Sequence, residues 1–270
     1  MKKILIILSL FLVFCKYALS EEENGRWIYY FKATDGDEFY YDIESINWTS
    51  DDIVEAWDKR IYSENSEFKK KYISLLIKKG VEPEKAMGLS DDKVLYKIDI
   101  KNKKIIVLSS VAYDKNGNAL DSGDYHNDST WLSIPPDSRG ETLWKIMCEL
   151  KEIRKLKREI EKDPDNSLLY FILSLKYYNA FLFNQAQESS KKYAEIVKKN
   201  IDEFKGDKDK ACEYYFKLGI AGLKEGNKEF TKKIVKLVLE NIKAIDPSSP
   251  YITELEEKIK ETYPEETKTK

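Results

Sequence analysis

Residues Trp27–Ile43, WIYYFKATDGDEFYYDI, decide the fold class. Trp27, Tyr29 and Phe31 fall on one face of an extended segment, and Phe39, Tyr41 and Ile43 resume the period after Asp35-Gly36-Asp37. Alternation of period two around a short glycine turn predicts a β-hairpin, because successive strand side chains point to opposite faces. The same signal predicts strands at Val54–Tyr62, Val94–Ile100, Ile105–Tyr113 and Ala119–Ser122, with a last short one at Trp131–Ile134 ahead of Pro135-Pro136. Asn116-Gly117 predicts a type I′ turn. One segment changes period: Phe68, Tyr72, Leu75 and Leu76 follow helical spacing and stop at Gly80, which predicts one helix.

Beyond Ser138 helical spacing takes over. Leu143, Trp144, Met147 and Leu150 mark one buried face, and the helix runs through a charged stretch to Lys162. Breaks at Asp163-Pro164-Asp165-Asn166, Asn184, Gly206-Asp207, Gly226-Asn227 and Asp246-Pro247 predict five or six antiparallel helices. The last covers Ile252–Tyr263, with Ser249 as cap and Pro250 in the first turn. Tyr170, Leu173, Ser174, Tyr177, Phe183 and Ala186, and again Tyr215, Leu218, Gly219 and Gly226, resemble degenerate tetratricopeptide repeats; a plain helical bundle is the competing reading. The repeat reading puts Phe171, Tyr178 and Asn179 in a groove for a partner. The expected class is therefore α+β: a small antiparallel sheet domain with a packed helix, followed by an all-α, tetratricopeptide-like domain.

Before the hairpin, Met1-Lys2-Lys3, an apolar run from Ile4 to Cys15 and Ala18-Leu19-Ser20 read as a secretory signal peptide, too short to span a bilayer as a helix. Cleavage after Ser20 is favoured; lipidation at Cys15 is the minority reading, disfavoured by Phe14 where lipoprotein signals want a small residue. The expected organisation is 1–20 signal peptide, 21–150 sheet domain, 151–265 helical domain and 266–270 disordered tail. Charge changes across that boundary: residues 21–140 hold 17 basic and 24 acidic groups, and residues 141–270 hold 26 and 24. The formal net charge of −2 offers no field to gather nucleic acid, and no segment is expected to span a membrane.

The motif residues of the first half resemble the surface-adhesin protein E family of bacteria. They are Trp27, Tyr41-Asp42, Trp57, Tyr113-Asp114 with Gly117, and the closing block from Trp131 through Pro135 to Cys148, over roughly residues 26–150. The resemblance implies a small antiparallel sheet packed on a helix, exported to the periplasm or cell surface, with a protein-binding role and no cofactor. It also implies a disulfide from the position of Ile100 to Cys148, which Ile100 abolishes here. Cys148 is then a buried thiol or pairs with Cys212.

Chemistry is sparse. One histidine and three cysteines leave little for a metal centre or a nucleophile with a base. Asp124, His126 and Asp128 have metal-ligand spacing but read as a solvated loop. Asp114-x-Asn116-x-Asn118 starts like a calcium loop, yet Ala119 and Tyr125 stand where glycine and glutamate are needed. Asp35 and Asp37 could serve as paired carboxylates for hydrolysis but read as turn residues. The expected function is an exported, non-enzymatic, adhesin-like binding protein engaging a host or envelope protein. An envelope scaffold whose helices recognise the partner comes next, and an exported carboxylate-dependent hydrolase last; a homo-oligomer stays open.

Overall fold

A computed structural model describes residues 25–125, 130–204, 206–225 and 228–262. The signal segment with Cys15, the tail, and His126 and Asp128 lie outside them, as do Gly226 and Asn227. The chain is mixed α+β and separates into two compact units, one ending at Lys151 and the next starting at Glu152.

In the first unit, strands β1 (Trp27–Lys32), β2 (Glu38–Asp42), β4 (Ile53–Ile61), β5 (Leu89–Asp99), β6 (Lys104–Asp114) and β7 (Ala119–Asp124) form one sheet in that order. Strands β3 (Asn47–Trp48) and β8 (Leu132–Ser133) pair with β4 and β6. Every pairing is antiparallel. Helices α1 (Glu67–Lys78) and α2 (Pro83–Met87) are inserted between β4 and β5. Ser66 caps α1 by accepting from the Lys69 N–H, Gly80 at φ 93° ends it, and Pro83 opens α2 where its missing N–H costs nothing.

Several features differ from the sequence reading. The first hairpin buries Ile28 and Tyr30, while Trp27, Tyr29 and Phe31 are half-buried on the other face. The insert holds a second short helix, β5 begins five residues early, and β3 is an added two-residue strand; each falls below the length at which periodicity is readable. At Asn116-Gly117 only Gly117 has positive φ, so the turn is not type I′. The Asp114 carboxylate instead accepts from the backbone N–H groups of Asn116 and Asn118, and its N–H donates to the Asn118 carbonyl, closing a wider loop. Of the α1 stripe, Leu76 is fully buried, but Phe68 and Leu75 are 47% and 45% exposed. The terminal strand shrinks to Leu132–Ser133. In the helical unit the second break falls at Ala180–Leu182, where Phe181 takes φ 62°, rather than at Asn184.

Helix α3 (Arg139–Lys162) begins in the first unit and carries its C-terminal portion in the second. Its first turns attach to the sheet: Trp144 Nε1 donates to the Ile100 carbonyl at 3.0 Å, Lys103 pairs with Glu141, and Lys151 meets Asp52 at 2.5 Å. Leu143, Ile146, Met147 and Leu150 are buried.

The second unit continues with α4 (Ser167–Asn179), α5 (Phe183–Glu203), α6 (Lys208–Glu225), α7 (Lys228–Ile245) and α8 (Pro250–Thr262). Helix α4 packs on α5 and α6, and α6 on α7 and α8. Its core gathers Cys212, Tyr215, Leu218, Val235, Val238, Ile242 and Leu255. Gly219 lets the helices close, since a Cβ there would stand 3.0 Å from Leu255 Cδ1. Among the described residues no helix is long and apolar enough to cross a membrane.

Candidate interaction surface

Large apolar side chains left in water mark surfaces that a partner covers. Among the described residues they are Phe68, Leu75, Ile77 and Met87 on α1 and α2, Tyr125 just after β7, and Trp131 and Leu132 at β8. Phe68, Tyr72 and Leu75 stand i, i+4 and i+7 along α1, so they share one stripe. That stripe borders β7. The Tyr72 hydroxyl lies 3.5 Å from Asp121, Lys79 pairs with the same carboxylate at 2.6 Å, and the Tyr125 phenol bears on both Tyr72 and Lys79. The Phe68 ring stacks on Tyr62 at 6.1 Å and meets the Tyr72 ring at 6.0 Å. Gly123 admits the Tyr125 ring, whose phenol a Cβ at that position would strike. Phe68, Tyr72, Leu75 and Tyr125 thus form a ring-rich rim held from below by Asp121.

The sheet face opposite the buried side chains carries a second set of aromatics. Tyr29 and Tyr40 are cross-strand partners with centroids 5.6 Å apart, and Tyr40, Lys59 and Lys93 continue the row across β4 and β5. Lys59 and Lys93 bring their ammonium groups 5.7 and 5.6 Å from the Trp27 ring, and Lys93 lies 4.7 Å from Tyr113. Rings and ammonium groups here satisfy one another.

Beneath the helices the sheet buries charge. Asp37 is fully buried; its Oδ2 faces Arg60 Nη2 at 2.5 Å and accepts from the Ser66 hydroxyl at 2.9 Å, and its Oδ1 accepts from the Ser63 N–H. Arg60 lies 4.0 Å from the Phe68 ring centre, so this buried pair also supports the rim. Asp58, 1% exposed, accepts from the Tyr30 hydroxyl at 3.2 Å and faces Arg139 at 3.0 Å, and the Arg139 Nη2 donates to the Tyr96 hydroxyl at 2.7 Å. Asp92 accepts from the Tyr62 hydroxyl at 2.6 Å. Burial pushes the Asp58 carboxyl up to about 6 and raises Asp92, Tyr30, Tyr62 and Tyr96 as well. Burial works against the Arg139 charge, yet facing Asp58 holds its proton more tightly than usual.

The residues singled out by sequence disperse among these places. Trp27, Trp57 and Tyr113 are half-buried strand residues, whereas Tyr41 is fully buried. Asp42 is buried against Arg26 at 2.6 Å and accepts from the Glu44 N–H. Asp114 and Gly117 build the β6–β7 loop, Trp131 is 39% exposed, and the Pro135 carbonyl accepts from Ser138. Cys148 and Cys212 are thiols and are not joined in a disulfide; Ile100, in the place of the implied cysteine, is buried at 9% exposure. Of the proposed groove, Phe171 is 4% exposed with its ring 5.4 Å from Tyr193, which makes it core, while Tyr178 and Asn179 are half-buried. Asp37 is a buried ion-pair partner rather than an open catalytic carboxylate. Asp124 ends β7, but the other two residues of its spacing pattern lie outside the described residues. Helical spacing places Phe68, Tyr72 and Leu75 on one helix; that Phe68 and Leu75 stay exposed while Tyr72 packs against the cluster holding Leu76 and Tyr62 is seen only in the fold.

Residues 27–149 match the family model described as surface-adhesin protein E, so the resemblance carried by the motif residues is borne out over that segment. Among solved structures the chain is similar to the crystal structure of protein E from non-typeable Haemophilus influenzae, at 16% identity and a TM-score of 0.31, covering 48% of this chain and 78% of that one. No curated protein matches the chain.

Proposed function

We propose that the chain is an exported, adhesin-like, non-enzymatic binding protein that holds a host or envelope protein through the Phe68–Tyr72–Leu75–Tyr125 rim of its sheet unit. The observation that carries this reading is where burial fails. Among the described residues, the large apolar side chains that remain exposed all belong to residues 68–132, and the helical unit contributes none. The surface-adhesin protein E match over residues 27–149 covers the same region. A desolvated aromatic cluster is the usual anchor of a protein interface, and Phe68, Tyr72 and Tyr125 supply one. Residues 1–20 would deliver the chain out of the cytoplasm, with lipidation at Cys15 as a variant of that route.

The test is retention of extracellular-matrix proteins and envelope extracts on the immobilised full chain, with Phe68→Ser/Leu75→Ser beside it. Loss of a retained protein in the double variant supports the rim; equal retention by both removes it.

A second reading, an envelope scaffold in which the helices recognise the partner, draws on the packing of α4 with α5 and α6, and of α6 with α7 and α8. That order is what stacked tetratricopeptide-like pairs produce, with Tyr178 and Asn179 toward the groove. Tyr178→Ala/Asn179→Ala would then abolish retention where the rim variant does not.

A further inference from the structure

Asp37, Asp58 and Asp92 lie under the helices with Arg60 and Arg139, which sets three carboxylates against two guanidinium groups. Arg60 is bound to Asp37 through both Nε and Nη2, at 2.8 and 2.5 Å, leaving Arg139 to face Asp58 with Asp92 nearby. The groups around Asp58 come from every packed element. They are the Tyr30 hydroxyl of β1, Arg60 of β4, Asp92 and Tyr96 of β5, and Arg139 at the first turn of α3. Asp92 faces Tyr62, Arg60, Arg139 and its neighbour Asp91. Among Asp37, Asp58, Asp92, Arg60 and Arg139 one negative charge is thus in excess, Asp91 beside Asp92 adds to it, and Asp58 is 1% exposed, where uncompensated charge is costly.

Asp58 also shows where relief can enter. Its Oδ2 lies 3.0 Å from Arg139 Nη1 yet accepts no hydrogen bond, so this oxygen can carry a proton without breaking one. We propose that the cluster takes up a single proton, shared between Asp58 and Asp92, as the surroundings become mildly acidic, and that this uptake stabilises the folded sheet unit. A carboxyl held at about 6 in the folded chain and at its ordinary value in the unfolded chain binds its proton first in the folded form. Stability from this group therefore rises as pH falls from 7 through about 6 and levels off below the ordinary carboxylate range.

The experiment is a carbon-13 titration of the aspartate carboxyl groups in the full chain from about pH 8 to about pH 2, across the span of ordinary and raised carboxylate values. The Asp58 carbon is expected to turn over at about 6, with the Asp92 carbon shifting in the same step. Asp58→Asn and Asp92→Asn, both close to isosteric, each leave two carboxylates with two guanidinium groups; Asp58→Asn should abolish that transition and Asp92→Asn should move it to lower pH, since burial of Asp58 remains. Arg139→Gln enlarges the excess and should move the transition to higher pH. The proposal is overturned if every aspartate of the native chain titrates in its ordinary range, if the transition persists in Asp58→Asn or stays in place in Asp92→Asn, or if it stays in place in a folded Arg139→Gln chain.

Discussion

The two units of this chain handle polar and apolar groups in opposite ways. The helical unit follows the burial rule: Tyr215, Leu218, Ile242 and Leu255 are inside, and the polar groups it buries are mainly neutral, such as Ser174 and Asn241. The sheet unit breaks the rule twice, burying Asp37, Asp42 and Asp58 while leaving Phe68, Leu75, Tyr125 and Trp131 exposed. Departures from consistent burial are where function or specificity is being served at the expense of stability. The contrast is the reason the proposed binding surface is placed in the sheet unit, where the exposed rings are.

The comparison is broken most severely at Asp37. Asp37→Ala strands Arg60 and removes the acceptor for Ser66 and the Ser63 N–H, so it should cost about 3–5 kcal/mol in denaturant unfolding followed at the sheet unit. A loss under about 1 kcal/mol would mean the buried pair contributes little beyond specificity. In the helical unit the matching insult is overpacking. Gly219→Ala puts a methyl against Leu255 Cδ1 and Val238 and should cost about 1–3 kcal/mol, seen as lower protection of α6 amides in hydrogen exchange.

Acid separates the units without a mutation. The sheet unit should gain on the order of 2 kcal/mol between pH 7 and pH 4 from Asp58, and Asp58→Asn should flatten that slope in denaturant titrations. The rim variants sharpen the contrast from the other side. Phe68→Ser and Leu75→Ser should shift stability by no more than about 0.5–1 kcal/mol each, since both side chains are nearly half exposed, while binding is lost. Gly123→Ala should be the mildest: it pushes the Tyr125 phenol aside with little effect on unfolding, and weakens retention of a partner several-fold.

Much of the sheet was legible because period two survives in single strands, and Trp27–Ile43 reports it clearly. The turn at Asp35-Gly36-Asp37 was legible too, but the role of Asp37 was not. Its partner Arg60 lies 23 residues away, and in sequence Asp37 is one more solvated turn acid. Arg139 and Asp58 are more distant still, joined only because α3 lies over the strand carrying Asp58. The exposure of Phe68 and Leu75 was illegible for a related reason. A helical stripe says which residues share a face, but not how far the neighbouring element reaches across it.

The sequence by itself determined the α+β class, the change of pattern after Ser138, most strands and helices, and the surface-adhesin protein E resemblance. These rest on local periodicity, turn chemistry and ordered motif residues, which are properties of short segments. Tertiary structure alone decided which aromatic face is buried, that Asp37, Asp58 and Asp92 share two arginines, and that Phe68 and Leu75 of the α1 stripe stay exposed while Leu76 is core. Those depend on which distant segments meet, and a surplus charge or an uncovered ring exists only once they have met.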